Sequence, residues 1–247
     1  MKNLVEVCCG SYADAVEAFK NNADRVELNS ALHAGGLTPS LASLLLTKMH
    51  TNIKVITMIR PRGAGFIYSD EDFEVMKIDT KIMLENGADG IAFGCLDENG
   101  KINIEQCREI IKIVKYYDKE VVFHRAYDFL KDPYEGMEIL INLGVDRVLT
   151  SGLQAKAYEG IELIRDLQAR YGDKIEILAG GGVNASNARE IVEFTGINQV
   201  HSSCKSYVTD FTTIGDYISY SCLEAPHERD YDIVDGELVK ALVECVK

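Results

Sequence analysis

Short runs rich in β-branched residues alternate with longer stretches of helical period along the whole chain. Four of these runs fall at 4–8, 53–59, 121–124 and 175–179, with the near-continuous apolar character of parallel strands covered by helices. Four more follow a repeated turn, which reads Asn22-Ala23-Asp24-Arg25-Val26, Gly87-Ala88-Asp89-Gly90-Ile91, Gly144-Val145-Asp146-Arg147-Val148 and Gly196-Ile197-Asn198-Gln199-Val200. In each, Gly or Asn suits the left-handed residue that closes a helix, and an apolar residue with Asp or Asn makes the turn into a strand. A unit recurring at this spacing is the signature of a repeated architecture. The helical period predicts helices over 12–21, 40–50, 71–85, 104–117, 133–142, 155–171, 185–194 and 234–246. Ser11, Thr38 before Pro39, Asp70, Asp132 before Pro133 and Asn184 are suitable caps. Eight βα units in succession favour a closed (β/α)8 TIM barrel of parallel strands over an open sheet.

One stretch breaks this rhythm. Residues 205–233 separate the eighth strand from the last helix, far beyond an ordinary connection. They hold Cys222, Pro226, His227, Tyr207, Tyr217, Tyr220 and Tyr231, which predicts burial against the barrel or against a second subunit.

Length and charge narrow the picture. At 247 residues the chain has the size of one such barrel, and no composition shift marks a second domain within 1–247. A net charge of −13 argues against nucleic acid or an anionic membrane surface as partner, so any anionic ligand must be held by local groups. The start, Met1-Lys2-Asn3-Leu4-Val5-Glu6-Val7, is too short and too soon charged for a signal peptide, and no apolar run reaches the ~20 residues of a membrane span. A cytoplasmic protein is the expectation. Seven cysteines without a CxxC pair do not form a disulfide framework and read mostly as small apolar core residues.

In a barrel the C-terminal strand ends and the loops after them build the site. Here those ends carry Glu6 and Cys8, Glu27 and Asn29, Arg60, His124 and Arg125, Ser151, the Gly180-Gly181-Gly182 turn, and His201 with Ser202. The strand starts read as mostly apolar. Glu6 and Glu27 lie on adjacent strands ~4.8 Å apart, and two close carboxylates need a shared proton, a cation or an arginine between them. Arg60 on the third strand is the expected partner. The pair suits either a structural ion network or acid/base or metal work. His124 and His201 suit plain hydrogen bonding or proton transfer. The glycine turn follows strand seven, where barrels often bind phosphate through backbone N–H groups.

The same residues carry a resemblance. Glu6-Val7-Cys8, Ala23-Asp24-Arg25-Val26-Glu27-Leu28, Gly35-Gly36-Leu37-Thr38-Pro39-Ser40, Met58-Ile59-Arg60-Pro61-Arg62-Gly63, Phe123-His124-Arg125-Ala126, Leu149-Thr150-Ser151-Gly152, Ala179-Gly180-Gly181-Gly182-Val183 and His201-Ser202-Ser203 resemble, in order, the CutC copper-homeostasis family. The resemblance implies a cytoplasmic, oligomeric TIM barrel acting in copper homeostasis, with Cu(I) as ligand and Cys8 as a metal-ligating residue. Asn29 stands where some members carry a second cysteine. An amide is a hard, poor ligand for Cu(I), which leaves Cys9, Cys95, Cys204 or Met58 as the other soft donors. Three functions are therefore open. The first is a homo-oligomeric copper-handling protein. The second is an enzyme acting on a small anionic, sugar- or phosphate-like substrate. In it Glu6, Glu27 and His124 transfer protons, and Arg60, Arg125, Ser151, Gly180, Gly181, Gly182, His201 and Ser202 hold the anion. The third is a structural or regulatory barrel that has lost its chemistry.

Overall fold

The structure, a computed structural model, describes residues 3–247; Met1 and Lys2 of the charged start lie outside the described residues. Eight parallel strands close into a barrel in chain order: β1 (Leu4–Cys9), β2 (Arg25–Leu28), β3 (Lys54–Met58), β4 (Gly90–Phe93), β5 (Glu120–Phe123), β6 (Arg147–Thr150), β7 (Glu176–Gly180) and β8 (Gln199–Ser202). β1 pairs with both β2 and β8, which completes the ring. The outer layer is α1 (Tyr12–Lys20), α2 (Leu41–His50), α3 (Asp70–Glu85), α4 (Ile104–Tyr116), α5 (Pro133–Leu143), α6 (Ile161–Tyr171), α7 (Ala188–Thr195) and α8 (Gly236–Val246). None of these helices is long and apolar enough to cross a membrane.

The repeated turn has a physical cause visible in the hydrogen bonds. Asp24, Asp89 and Asp146 each accept, through the side chain, the N–H of the second residue of the strand before their own: Val5 at 3.0 Å, Val55 at 2.8 Å and Val121 at 2.7 Å. Their own amides return a bond to the same three residues. Each Asp thus locks two strands into register and carries a lysine, Lys247, Lys48 or Lys115, on its outer side.

Several boundaries differ from the sequence reading. Ser40 and Ser69 cap α2 and α3 instead of Thr38 and Asp70, and Ser11 and Asp132 cap α1 and α5 as expected. α6 starts at Ile161 rather than at 155, because the Ala157 amide bonds to Gly181 O at 2.8 Å and holds this segment against the mouth. Asn184 caps a turn ahead of α7, whose own cap is Asn187. The 205–233 stretch is not buried against the barrel. Its ends pair antiparallel as β9 (Lys205–Thr209) and β10 (Asp230–Val234), and the tip stands in solvent with Tyr217 98% exposed. Val234 therefore closes a strand, and α8 begins two residues later.

Strand alternation sorts the side chains into two cores. Val5, Val7, Cys9, Val26, Leu28, Ile91 and Phe93 face the helices as part of a large apolar cluster. Ile56, Met58, Ala92 and Val122 form a separate cluster, the apolar lining of the barrel's interior. The strand starts, expected to be apolar, instead carry a charged ring, buried at Arg25, Arg147 and Gln199 and partly open to solvent at Lys54, Glu120 and Glu176. Arg25 pairs with Glu6 and donates to Gln199 at 2.7 Å; Gln199 donates to Glu176 at 3.2 Å. Arg147 joins Glu176 to Glu120, at 2.8 and 3.1 Å, and Lys54 pairs with Glu120. These residues sit at the inward positions of their strands, where helical cover cannot supply apolar partners, so each charge is met by another.

Candidate functional site

Above the charged ring the inward positions of β1, β2 and β8 bring Glu6, Cys8, Glu27, Asn29 and His201 together. Glu6 joins the two levels: one carboxylate oxygen takes the Arg25 pair and the other meets His201 Nδ1 at 2.8 Å. His201 Nε2 lies 4.0 Å from Glu27 Oε2. The Cys8 thiol donates to that same oxygen at 3.8 Å, and Asn29 Nδ2 donates to it at 3.0 Å and to Cys8 Sγ at 3.5 Å. Glu27 Oε1 and Asn29 Oδ1 are buried and have no partner among the described residues.

The electrostatics follow from this packing. Burial would raise the Glu6 carboxyl, but Arg25 and then His201 outweigh it and hold the group well below the usual carboxylate range. Burial opposes the charge on His201, yet its hydrogen bonds to Cys8 and Glu6 and the Glu27 carboxylate more than offset this, so the imidazolium persists well above the ordinary histidine range. Burial raises the Glu27 carboxyl, with the His201 cation opposing and the Glu6 charge adding. Burial also pushes the Cys8 thiol up, against the pull of His201. Two neighbouring carboxylates are thus driven apart in acidity by their surroundings, as the sharing of one site requires.

His124 belongs to the opposite wall. Its Nδ1 accepts the Ala126 N–H at 3.1 Å, so the neutral ring carries its proton on Nε2, which is buried without an acceptor among the described residues. Burial, and then the nearby Arg60 cation, push its pKa down to about 3. Arg60 is not the partner of Glu6 and Glu27 that adjacency of the strands suggested. Its guanidinium stands over the Phe66 ring at 5.3 Å and donates to the carbonyls of Ala34 and Gly36, both at 2.9 Å, and of Ala64. Those loop carbonyls hold the arginine away from the acids.

The third wall comes from β6, β7 and β8. Arg125 bonds Asp128 at 2.8 Å and the Ser151 hydroxyl at 2.7 Å, while Asp128 also accepts the Ser151 amide. Ser202 donates its hydroxyl to Val183 O at 2.6 Å. Gly180 lies tight against Leu149 and His201, and Gly181 and Gly182 take φ of +103° and +71°, a region that favours glycine. The N–H groups of Gly181 and Gly182 find no acceptor among the described residues. Together the walls enclose a cavity of about 280 Å³ onto which Cys8, Glu27, His124, Arg125, Gly181 and Lys205 all open.

The structure thus gathers Cys8, Glu27, Arg60, His124, Arg125, Gly181, Gly182, His201 and Ser202 round one cavity. Glu6 lies beneath its floor, and Ser151 and Gly180 lie behind its wall, held by the contacts above. Arg25, Gln199, Phe66 and Lys205 were missed by sequence reasoning. Arg25 had a signal, since Arg25, Glu27 and Asn29 alternate along β2 and must share one face; Phe66 lies on a loop that carries no periodicity, and Lys205 opens β9 in the stretch read as a loop. Cys9, Cys95 and Cys204 sit in the outer core, behind the strands, so none of them can serve as a second thiol beside Cys8.

A closed ring of eight parallel strands with a polar cavity at their C-terminal ends defines a (β/α)8 barrel. The chain belongs to the CutC family, which residues 3–206 match. It is 48% identical over 202 residues to a family protein CutC of Treponema denticola, covering 81% of each chain. To the copper homeostasis protein cutC homolog of Homo sapiens it is 43% identical over 203 residues, 82% of this chain and 74% of that one. The crystal structure of a CutC protein from Streptococcus agalactiae superposes with a TM-score of 0.77 at 31% identity, over 81% of this chain and 98% of that one. Phosphoribosylanthranilate isomerase from Thermotoga maritima, at 14% identity, 100% and 98% coverage and a TM-score of 0.58, shares the fold alone.

Proposed function

We propose that the barrel mouth is a small-molecule site for a compact anionic ligand, a phosphate monoester or carboxylate, with proton transfer at its floor. The observation that carries this reading is the distribution of charge. In a chain of net charge −13, Arg125, Lys205, His201, Gly181 and Gly182 all line one cavity, with Arg125 paired to Asp128 at 2.8 Å and Lys205 to Asp232 at 3.5 Å. Backbone N–H groups and cations converging in this way attract an anion against the overall field. Glu27, with its raised pKa and idle Oε1, is the group suited to take or give a proton. His201, held charged by Glu6, stabilises negative charge beside it, and His124 offers a neutral N–H donor from across the cavity. Arg60 and Ser151 shape the walls. The test is thermal shift of the whole protein against sugar phosphates and organic acids, repeated with Lys205→Ala and Arg125→Gln. We expect stabilisation by at least one class in the wild type and its loss in both variants; no shift with any anion removes the reading.

A second reading, copper handling, is supported by the family and by one observation. Single donor atoms of Cys8, Glu27 and His201 all lie within 4.8 Å of one another. A thiolate and an imidazole suit Cu(I), whereas the carboxylate is a hard donor. The donors fit as a Cys8–His201 pair once both have released protons, so binding would weaken as pH falls. Competitive Cu(I) titration of wild type and Cys8→Ala decides it: equal, weak binding by both excludes a dedicated site. A cytoplasmic, homo-oligomeric state accords with the family and with the exposed Phe211, Tyr217 and Tyr220 of the arm; sedimentation of the purified chain measures the assembly.

A further inference from the structure

We propose that the ligand of the mouth carries a planar apolar group that lies in a second cavity, against Phe66 and Phe129. This inference rests on the anionic-ligand reading above and names the rest of the molecule. The second cavity, of about 860 Å³, opens beside the first, and Gly35, Arg60, Phe66 and Arg125 line both. The two spaces are therefore neighbouring parts of one site, reached round the Phe66 ring.

The chemistry of the two parts differs. Phe66 is held on three sides: its ring centroid lies 4.9 Å from that of His124 and 5.5 Å from that of Phe129, with the Arg60 guanidinium 5.3 Å away. Phe129 and Ile67 line the second cavity and remain 67% and 55% exposed. An aromatic wall of this kind, left to water beside a polar cavity, is the apolar portion typical of small-molecule sites.

The polar groups on the same wall are already engaged. Arg62 bonds Asp72 at 2.8 Å and the Ile67 carbonyl, and Asp97 accepts the amides of Asn99 and Lys101 at 2.9 and 2.8 Å. Arg60 holds its loop carbonyls as described. Glu98 stands at the outer lip and disfavours a second negative charge there. The first cavity thus supplies Lys205, His201 and glycine N–H groups without an acceptor among the described residues, the second supplies apolar rings beside Arg60 and Arg62, and Arg125 lines both. A ligand with an anionic head and an aromatic or heteroaromatic body matches both in one pose, with Arg125 at the junction.

The experiment is calorimetric titration of the full chain with methyl phosphate, phenyl phosphate and phenol. Burying a phenyl ring should tighten binding by about tenfold or more, so phenyl phosphate should bind at least that much more tightly than methyl phosphate. Phe129→Ser, a change at an exposed position that the fold tolerates, should cut this advantage to about threefold or less and leave methyl phosphate unaffected. Phe66→Leu should reduce the same ratio. Equal affinities for the two phosphates in the wild type, or an unchanged ratio in Phe129→Ser, overturns this inference while leaving the anionic mouth intact. Failure of both phosphates to bind overturns the two together, and phenol binding as tightly as phenyl phosphate removes the anionic head.

Discussion

The inside of this barrel holds two polar levels built from the same residue types, and they are finished differently. At the floor, Arg25, Lys54, Glu120, Arg147, Glu176 and Gln199 hand charge from one to the next round the ring, and of their buried atoms only Arg147 Nη1 lacks a partner among the described residues. At the mouth, Glu27 Oε1, Asn29 Oδ1, His124 Nε2 and Arg60 Nε are all buried without one. An unmet buried polar atom costs about 1–3 kcal/mol, so the fold tolerates at its mouth what it avoids at its floor. The difference locates function: groups left wanting partners are the ones a ligand can satisfy.

Substitutions should separate the two levels. Arg25→Met strands the Glu6 carboxylate in the interior, and urea unfolding should show a loss of about 3–5 kcal/mol; a loss below 1 would mean that the floor ring is not needed for stability. The pH limb comes next. His201 is surrounded by Glu6, Cys8 and Glu27, and its folded pKa is raised. Its contribution is therefore fully present below the unfolded value near 6.5 and is lost as pH rises through the folded value. Stability of the wild type should fall by up to about 1.4 kcal/mol per pH unit between the unfolded and the folded value, and His201→Gln should flatten this limb. Glu6 has the opposite sign: its folded pKa is lowered, so its contribution is present above about 4.5 and is lost on acidification.

Smaller effects sharpen the contrast. Glu27→Gln removes a buried charge whose pKa burial has already raised. We expect a change of no more than about 1 kcal/mol in either direction, with the anion-dependent thermal shift retained; a collapse like that of Arg25→Met would make Glu27 part of the structural ring. Tyr217→Ser, on the exposed tip of the arm, should alter monomer stability by less than about 0.5 kcal/mol, while sedimentation shows whether the tip matters to assembly.

Much of this was legible beforehand. The eight strands, the order of the helices and the rim that bears the site follow from period and punctuation, and the family resemblance from ordered short motifs. The misreadings have particular causes. Arg25 and Arg147 looked like turn residues because each follows a turn Asp. Arg60 looked like a partner for the acids because strand adjacency says nothing about where a long side chain ends. The 205–233 stretch, expected to bury against the barrel or a second subunit, stands clear of the barrel because its ends pair with each other as β9 and β10.

The amino-acid order alone determined that this chain closes into a parallel barrel, since hydrophobic period and helix stops are local and act over a few residues, and the turn aspartates recur beside them. It also determined which groups stand at the mouth. Only the tertiary structure decided which charges cancel and which stay idle. Glu6 meets His201 across 195 positions of the chain, and a hydrogen bond of that span depends on ring closure, on inward or outward alternation and on side-chain reach, none of which any local stretch of sequence specifies.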